Sequence, residues 1–158
     1  DECAFPGMKV LQFAFDGNKD NSFLPHNFKS PQCIVYTGTH DNDTTVGWFL
    51  SDRLDDRQRE SIKLIANRDP LDLRGIHNDL IFLAQSSISI LCMFPIQDIL
   101  GFGGDCKMNS PGTAEGNWRW RCGSEFLNPE VSQHLKASTR RFNRGNPWQD
   151  DIDKKSTL

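Results

Sequence analysis

Cys33-Ile34-Val35-Tyr36-Thr37-Gly38-Thr39-His40-Asp41-Asn42-Asp43-Thr44 is the stretch whose reading decides the fold. Its first four residues are a short apolar run of the kind that forms a buried strand. The run halts at Thr37-Gly38-Thr39, and three chemically capable side chains, His40, Asp41 and Asn42, follow at once. Asp43 or Thr44 can then cap a helix through Val46-Gly47-Trp48-Phe49-Leu50 by accepting from its free N–H groups. Strand, polar loop, helix is the order that puts chemistry at the carboxyl end of a strand, where α/β folds build their sites. An Asp beside a His is often only a cap or a turn. The row of polar groups at a strand end is what favours a site here.

On the amino-terminal side, Met8 to Phe15 is short, apolar and aromatic, bounded by Pro6-Gly7 and Asp16-Gly17-Asn18, and reads as a strand. Lys19 to Ser30 reads as a loop. On the other side, Asp55 to Ala66 is a surface helix with Leu54, Ile62 and Ile65 on one face. Asp69-Pro70 breaks the chain. Leu73, Ile76, Leu80, Leu83, Ala84 and Ser87 then recur at helical spacing, so a better-buried helix is expected over Asp72 to Ser87. Ile88 to Phe94 is continuously apolar, a third buried strand, and Pro95-Ile96-Gln97-Asp98 closes it with polar groups. Gly101 to Gly112 is a loop without a phosphate-binding signature. Asn117-Trp118-Arg119-Trp120-Arg121 alternates aromatic and basic residues. Asn128 caps a last helix, with Pro129 at its first position, running to about Phe142. Residues 145–158 read as a polar tail.

Strands that alternate with helices imply a parallel sheet covered by helices. Three strands neither close a barrel nor complete a doubly wound sheet. Two open edges and one uncovered sheet face are therefore expected, and the chain reads as part of something larger. Residue 1 is Asp, which fits a processed product or a piece of a longer sequence.

Composition narrows the function classes. The chain has 158 residues, 37% apolar and 25% charged, with a net charge of −3. That is a globular balance, and with no basic stripe nucleic acid is not an expected partner. No apolar run approaches the roughly 20 residues that cross a bilayer, so no membrane partner is expected, and no secretory leader is visible. Cys3, Cys33, Cys92, Cys106 and Cys122 are odd in number and lack a Cys-x-x-Cys pair. Reduced thiols fit better than zinc or a disulfide framework.

Several stretches together carry a family resemblance. They are Pro6 to Phe15, Leu24-Pro25-His26-Asn27, Tyr36 to Thr45, Pro95-Ile96-Gln97-Asp98 and Asn117-Trp118-Arg119-Trp120-Arg121. In that order they resemble the 4-α-glucanotransferases, also called amylomaltases or disproportionating enzymes, over residues 1–144. The resemblance implies a (β/α)8 TIM barrel, of which this chain would be the C-terminal portion. Met8 to Phe15, Cys33 to Tyr36 and Ile88 to Phe94 would be its sixth, seventh and eighth strands.

The implied reaction moves an α-1,4-glucan segment to the 4-hydroxyl of an acceptor glucan or glucose with retention, and needs no cofactor or metal. One carboxylate attacks the anomeric carbon and another serves as acid and then base. A third binds hydroxyls of the distorted sugar, and by resemblance that is Asp41. His40 would hold the same sugar, and Asn109 and Asp16 would touch glucan hydroxyls. The nucleophile and the acid/base belong to strands upstream of Pro6, so this chain would carry one catalytic carboxylate of three and be inactive alone. A cytoplasmic or plastid location is implied.

Two rival classes remain open to comparison. A metallophosphoesterase would use Gly-x-His-Asp-Asn as metal ligands, but His26, His77 and His134 stand isolated. A non-catalytic glucan-binding module would stack sugars on Trp48, Trp118 and Trp120. Core packing is the simpler reading for Trp48. For Trp118 and Trp120 the two readings stand level.

Overall fold

The computed structural model describes residues 5–145. The expected polar tail therefore lies, Gly145 apart, outside the described residues. Three strands, β1 (Gly7–Val10), β2 (Cys33–Tyr36) and β3 (Leu91–Met93), form one parallel sheet in the order β1-β2-β3. The register pairs Met8 with Ile34 and Ile34 with Leu91, and pairs Val10 with Tyr36 and Tyr36 with Met93. Among the described residues five α-helices accompany it: α1 (Thr45–Leu50), α2 (Asp56–Ile65), α3 (Ile76–Ser86), the short α4 (Ile96–Ile99) and α5 (Pro129–Arg141). None of them is long and apolar enough to cross a membrane.

The core lies on one face of the sheet. Cys33 and Val35 point into it from β2 and meet Leu11, Phe15, Phe49, Ile62 and Leu80, with Cys92 and Phe94 packed against them. The period of two sends the alternate side chains to the opposite face. There Met8, Leu91 and Met93 stand exposed. The expected uncovered face and open edges are present, and every strand pair is parallel as expected.

Two strands are shorter than the sequence suggests. β1 ends at Val10 because β2 supplies no ladder partner beyond Tyr36. Leu11, Ala14 and Phe15 are then buried at helical spacing, and Leu11–Phe13 winds into a 3-10 turn closed by the Ala14 N–H on the Leu11 carbonyl. β3 is confined to Leu91–Met93, since Ile88 and Ile90 before it are exposed rather than buried. The helix expected from Asp72 begins at Ile76. Asp72 Oδ1 accepts from the Arg74 N–H and its guanidinium, and Gly75 adopts φ 69°, so the chain turns twice before α3 can start.

Local chemistry fixes the other ends. Asp55 and Gln58 form a reciprocal capping box on α2, and Gln58 Nε2 also donates to the Phe15 carbonyl. Asn128 caps α5 through the Val131 N–H, with Pro129 in the first turn. Buried Lys63 on α2 donates to Asp79 Oδ2 on α3 at 2.6 Å, and Arg68 Nε donates to Asp79 Oδ1 at 3.0 Å. Past α5, the Arg144 guanidinium donates to the carbonyls of Gln85, Ser87 and Ser89, closing the exposed end of α3.

Candidate active site

The loop between β2 and α1 carries His40, Asp41 and Asn42. Its shape is set by hydrogen bonds at both levels, internal and external. Asn42 Oδ1 accepts from the Thr39 N–H and hydroxyl at 2.9 and 2.7 Å, which rolls the loop into a tight turn. Thr44, rather than Asp43, caps α1: its hydroxyl accepts from the Gly47 N–H at 3.0 Å. Asp43 instead accepts from the Thr44 N–H. From β1's side, Gln12 Nε2 donates to the Asp43 carbonyl at 2.8 Å and lies over Gly38. A Cβ on Gly38 would sit 2.7 Å from that amide nitrogen, so the approach needs glycine. Gly47 is needed for the same reason: its Cβ would fall 2.7 Å from the Gly104 Cα, where the later loop crosses α1.

That crossing brings Asn109 to Asp41. Asn109 Nδ2 donates to Asp41 Oδ1 at 2.6 Å across 68 positions of sequence. His40 Nε2 lies 3.4 Å from the same oxygen. The His40 ring also lies against Trp118, with centroids 5.0 Å apart. Trp118 is 54% exposed and held at φ 61°, a backbone region uncommon for a bulky residue, with its N–H on the Met108 carbonyl. His40, Asp41 and Trp118 line a cleft of 520 Å³, together with Tyr36, Met93 and Asp98 among others. The cleft opens where the carboxyl ends of β2 and β3 meet.

Of the four expected site residues, His40, Asp41 and Asn109 are brought together. Asp16 is not. It is exposed, does not line the cleft, and accepts from the Asn18 N–H at 2.9 Å. That backbone bond, with help from Asn21, holds its carboxyl below the ordinary carboxylate value. The tryptophans divide. Trp48 is buried in the core. Trp120 meets the Phe102 ring edge-on at 6.2 Å, which is packing, and Phe102 in turn meets Phe126. Trp118 alone of the three offers a face to the cleft. Gln12, Thr37 and Asp98 also shape the site; they stand in the sequence motifs, but no site role is assigned to them there. Their signal was slight: a Gln inside an apolar run, and an Asp closing a strand.

Among the described residues no group of three or more His, Cys, Asp and Glu could hold a metal ion. Cys33, Cys92, Cys106 and Cys122 are free thiols, and burial pushes the first two upward from the ordinary thiol value.

Parallel strands that raise polar side chains around a cleft at their carboxyl ends define an α/β protein with its site at the usual end of the sheet. Comparison with known proteins carries this further. Residues 1–126 match the profile of the 4-alpha-glucanotransferase family. The chain is 53% identical over 144 residues to a 4-alpha-glucanotransferase of Synechocystis, covering 91% of this chain and 28% of that protein. It is 39% identical over 149 residues to the Thermus thermophilus 4-alpha-glucanotransferase, covering 91% and 29%. Among solved structures it resembles an amylomaltase from Streptococcus agalactiae in complex with acarbose. The TM-score is 0.84 at 34% identity, over 92% of this chain and 28% of that one. The chain belongs to the 4-alpha-glucanotransferase family and is similar in fold to part of a TIM-barrel enzyme. It spans less than a third of the length of the relatives it matches.

Proposed function

We propose that this chain supplies the last strands of a 4-α-glucanotransferase barrel, with β1, β2 and β3 as its sixth, seventh and eighth strands. The activity is retaining transfer of an α-1,4-glucan segment to an acceptor 4-hydroxyl. The nucleophile and the acid/base would come from strands that precede this segment in a longer catalytic chain, in the cytoplasm or a plastid. Asp41 is the carboxylate that binds sugar hydroxyls and favours the flattened, positively charged ring of the transition state. His40 donates to the same sugar, and Asn109 orients Asp41. Asp16 would touch only a more distant part of the glucan. Maltooligosaccharides and starch or glycogen chains are the substrates.

The single observation that carries this reading is the convergence of Asn109 and His40 on Asp41 at the cleft rim, with Trp118 against the His40 ring. A carboxylate with one firm donor, an imidazole partner and an exposed aromatic face beside it suits a polyhydroxylated ring. The test is a chimaera in which this chain replaces the matched 28% of the Synechocystis relative. The chimaera should convert maltotriose into glucose and longer glucans. A folded chimaera without transfer activity would refute the reading.

A further inference from the structure

One side chain holds both ends of the loop that carries His40 and Asp41. Asp98, in α4 just beyond β3, is 1% exposed. Its Oδ2 accepts from the Thr37 hydroxyl at 2.5 Å, and its Oδ1 accepts from the Thr45 N–H at 2.7 Å. Thr37 directly follows β2 and Thr45 is the first residue of α1, so the two contacts bracket the loop. Both threonines are fully buried. A carboxyl group is costly to bury unless its acceptor sites are filled, and here both oxygens are filled by this loop's two ends.

We propose that Asp98 is a positioning residue for glucan transfer, fixing the loop so that His40 and Asp41 stand at the cleft rim in one arrangement. The proposal rests on the assignment of Asp41 made above. Gln12 grips the Asp43 carbonyl and Asn42 ties the turn internally, but neither reaches the loop's ends. Without Asp98 the Thr45 end loses its hydrogen bond to the segment after β3, while the Thr37 end keeps the Tyr36–Met93 strand pairing just before it. Asp41 would then drift relative to the rest of the cleft while the local turn persists. Asparagine can replace the clamp: its amide oxygen accepts from the Thr45 N–H, and its NH2 donates to the Thr37 oxygen, whose hydroxyl can rotate. Alanine cannot.

The experiment measures kcat and KM for maltotriose, together with melting temperature, in the chimaera carrying Asp98→Ala, Asp98→Asn, Thr37→Val or Asp41→Asn. Asp98→Ala should lower kcat about 100-fold with KM little changed, the size of effect a displaced catalytic group produces. Asp98→Asn should recover most of that loss. Thr37→Val keeps volume and removes one arm of the clamp, so its kcat should fall part-way, and it decides the matter if Asp98→Ala does not fold. Wild-type kcat in folded Asp98→Ala or Thr37→Val, whatever the melting temperature, overturns the proposal. So does an Asn variant as slow as the Ala variant. Lost turnover in Asp41→Asn with normal turnover in the clamp variants would sink the positioning role alone. Normal turnover in Asp41→Asn would sink the Asp41 assignment and the positioning role with it.

Discussion

Asp41→Asn separates a catalytic carboxylate from a mere turn residue, because the structure makes the two consequences very different in size. The side chain is 52% exposed in the open cleft. Its bond from Asn109 and its approach to His40 are therefore screened by water and contribute little to folding. Asparagine keeps the shape and an oxygen that can still accept from Asn109. The change in stability should stay within about 0.5 kcal/mol, as for most exposed polar substitutions. With a sugar in the cleft the water is displaced, and charge-assisted bonds from sugar hydroxyls become roughly twice as strong as neutral ones. They strengthen again as positive charge develops on the ring. Removing one such stabiliser costs about 3–4 kcal/mol of transition-state binding, or roughly two to three orders of magnitude in rate. The assay is maltotriose disproportionation by the chimaera, with glucose release timed and a thermal melt run alongside. If the Asn variant turned over at a near-normal rate with a lowered melting temperature, Asp41 would be a structural turn residue.

Three further outcomes are expected. Asp79→Ala leaves the Lys63 ammonium buried without its carboxylate, and urea unfolding of the chimaera should show a loss of about 3–5 kcal/mol; the double change Lys63→Met with Asp79→Leu should cost clearly less, and equal losses would count against a desolvated pair. Burial holds His77 below the ordinary imidazole value, so the unfolded chain takes up a proton there before the folded one does. Stability from this residue should be intact above about pH 6.5 and fall as pH drops below it. The melting temperature should thus fall less between pH 7.5 and 5.5 in His77→Asn than in the parent; identical slopes would refute the assignment. The isolated chain, with Met8, Leu91 and Met93 on an open sheet face, should bind a hydrophobic dye and self-associate. A monomer with dispersed amide signals and no dye binding would contradict that.

Much of the architecture was legible because it is local. The apolar run at Cys33–Tyr36 ended in turn residues, Thr44 stood ready as a cap, and Asn128-Pro129 opened the last helix; each signal acts within one turn or one pleat of chain. The choice of Asp41 and His40 as candidate site residues was legible too, since they are adjacent in sequence and sit at a strand end. What depended on distant partners was not legible. The length of β1 was set by where β2 stops, and the start of α3 by the Asp72–Arg74 turn and Gly75. Asp16 and Asn109 looked alike as loop polar residues, yet only Asn109 reaches Asp41, because the Gly47–Gly104 approach carries its loop across α1. Trp118 and Trp120 stood level in sequence, and their surroundings divided them into cleft face and packing. The sequence by itself determined the three strand sites, the helices α1, α2, α3 and α5 and which loop bears the polar groups, since those follow from side-chain period and capping, but not the helix α4 or the turn at Leu11–Phe13. The tertiary structure decided which loops meet over that site and that Asp98 clamps it, since contacts between Asp98 and Thr37, 61 positions apart, exist only once the chain has packed.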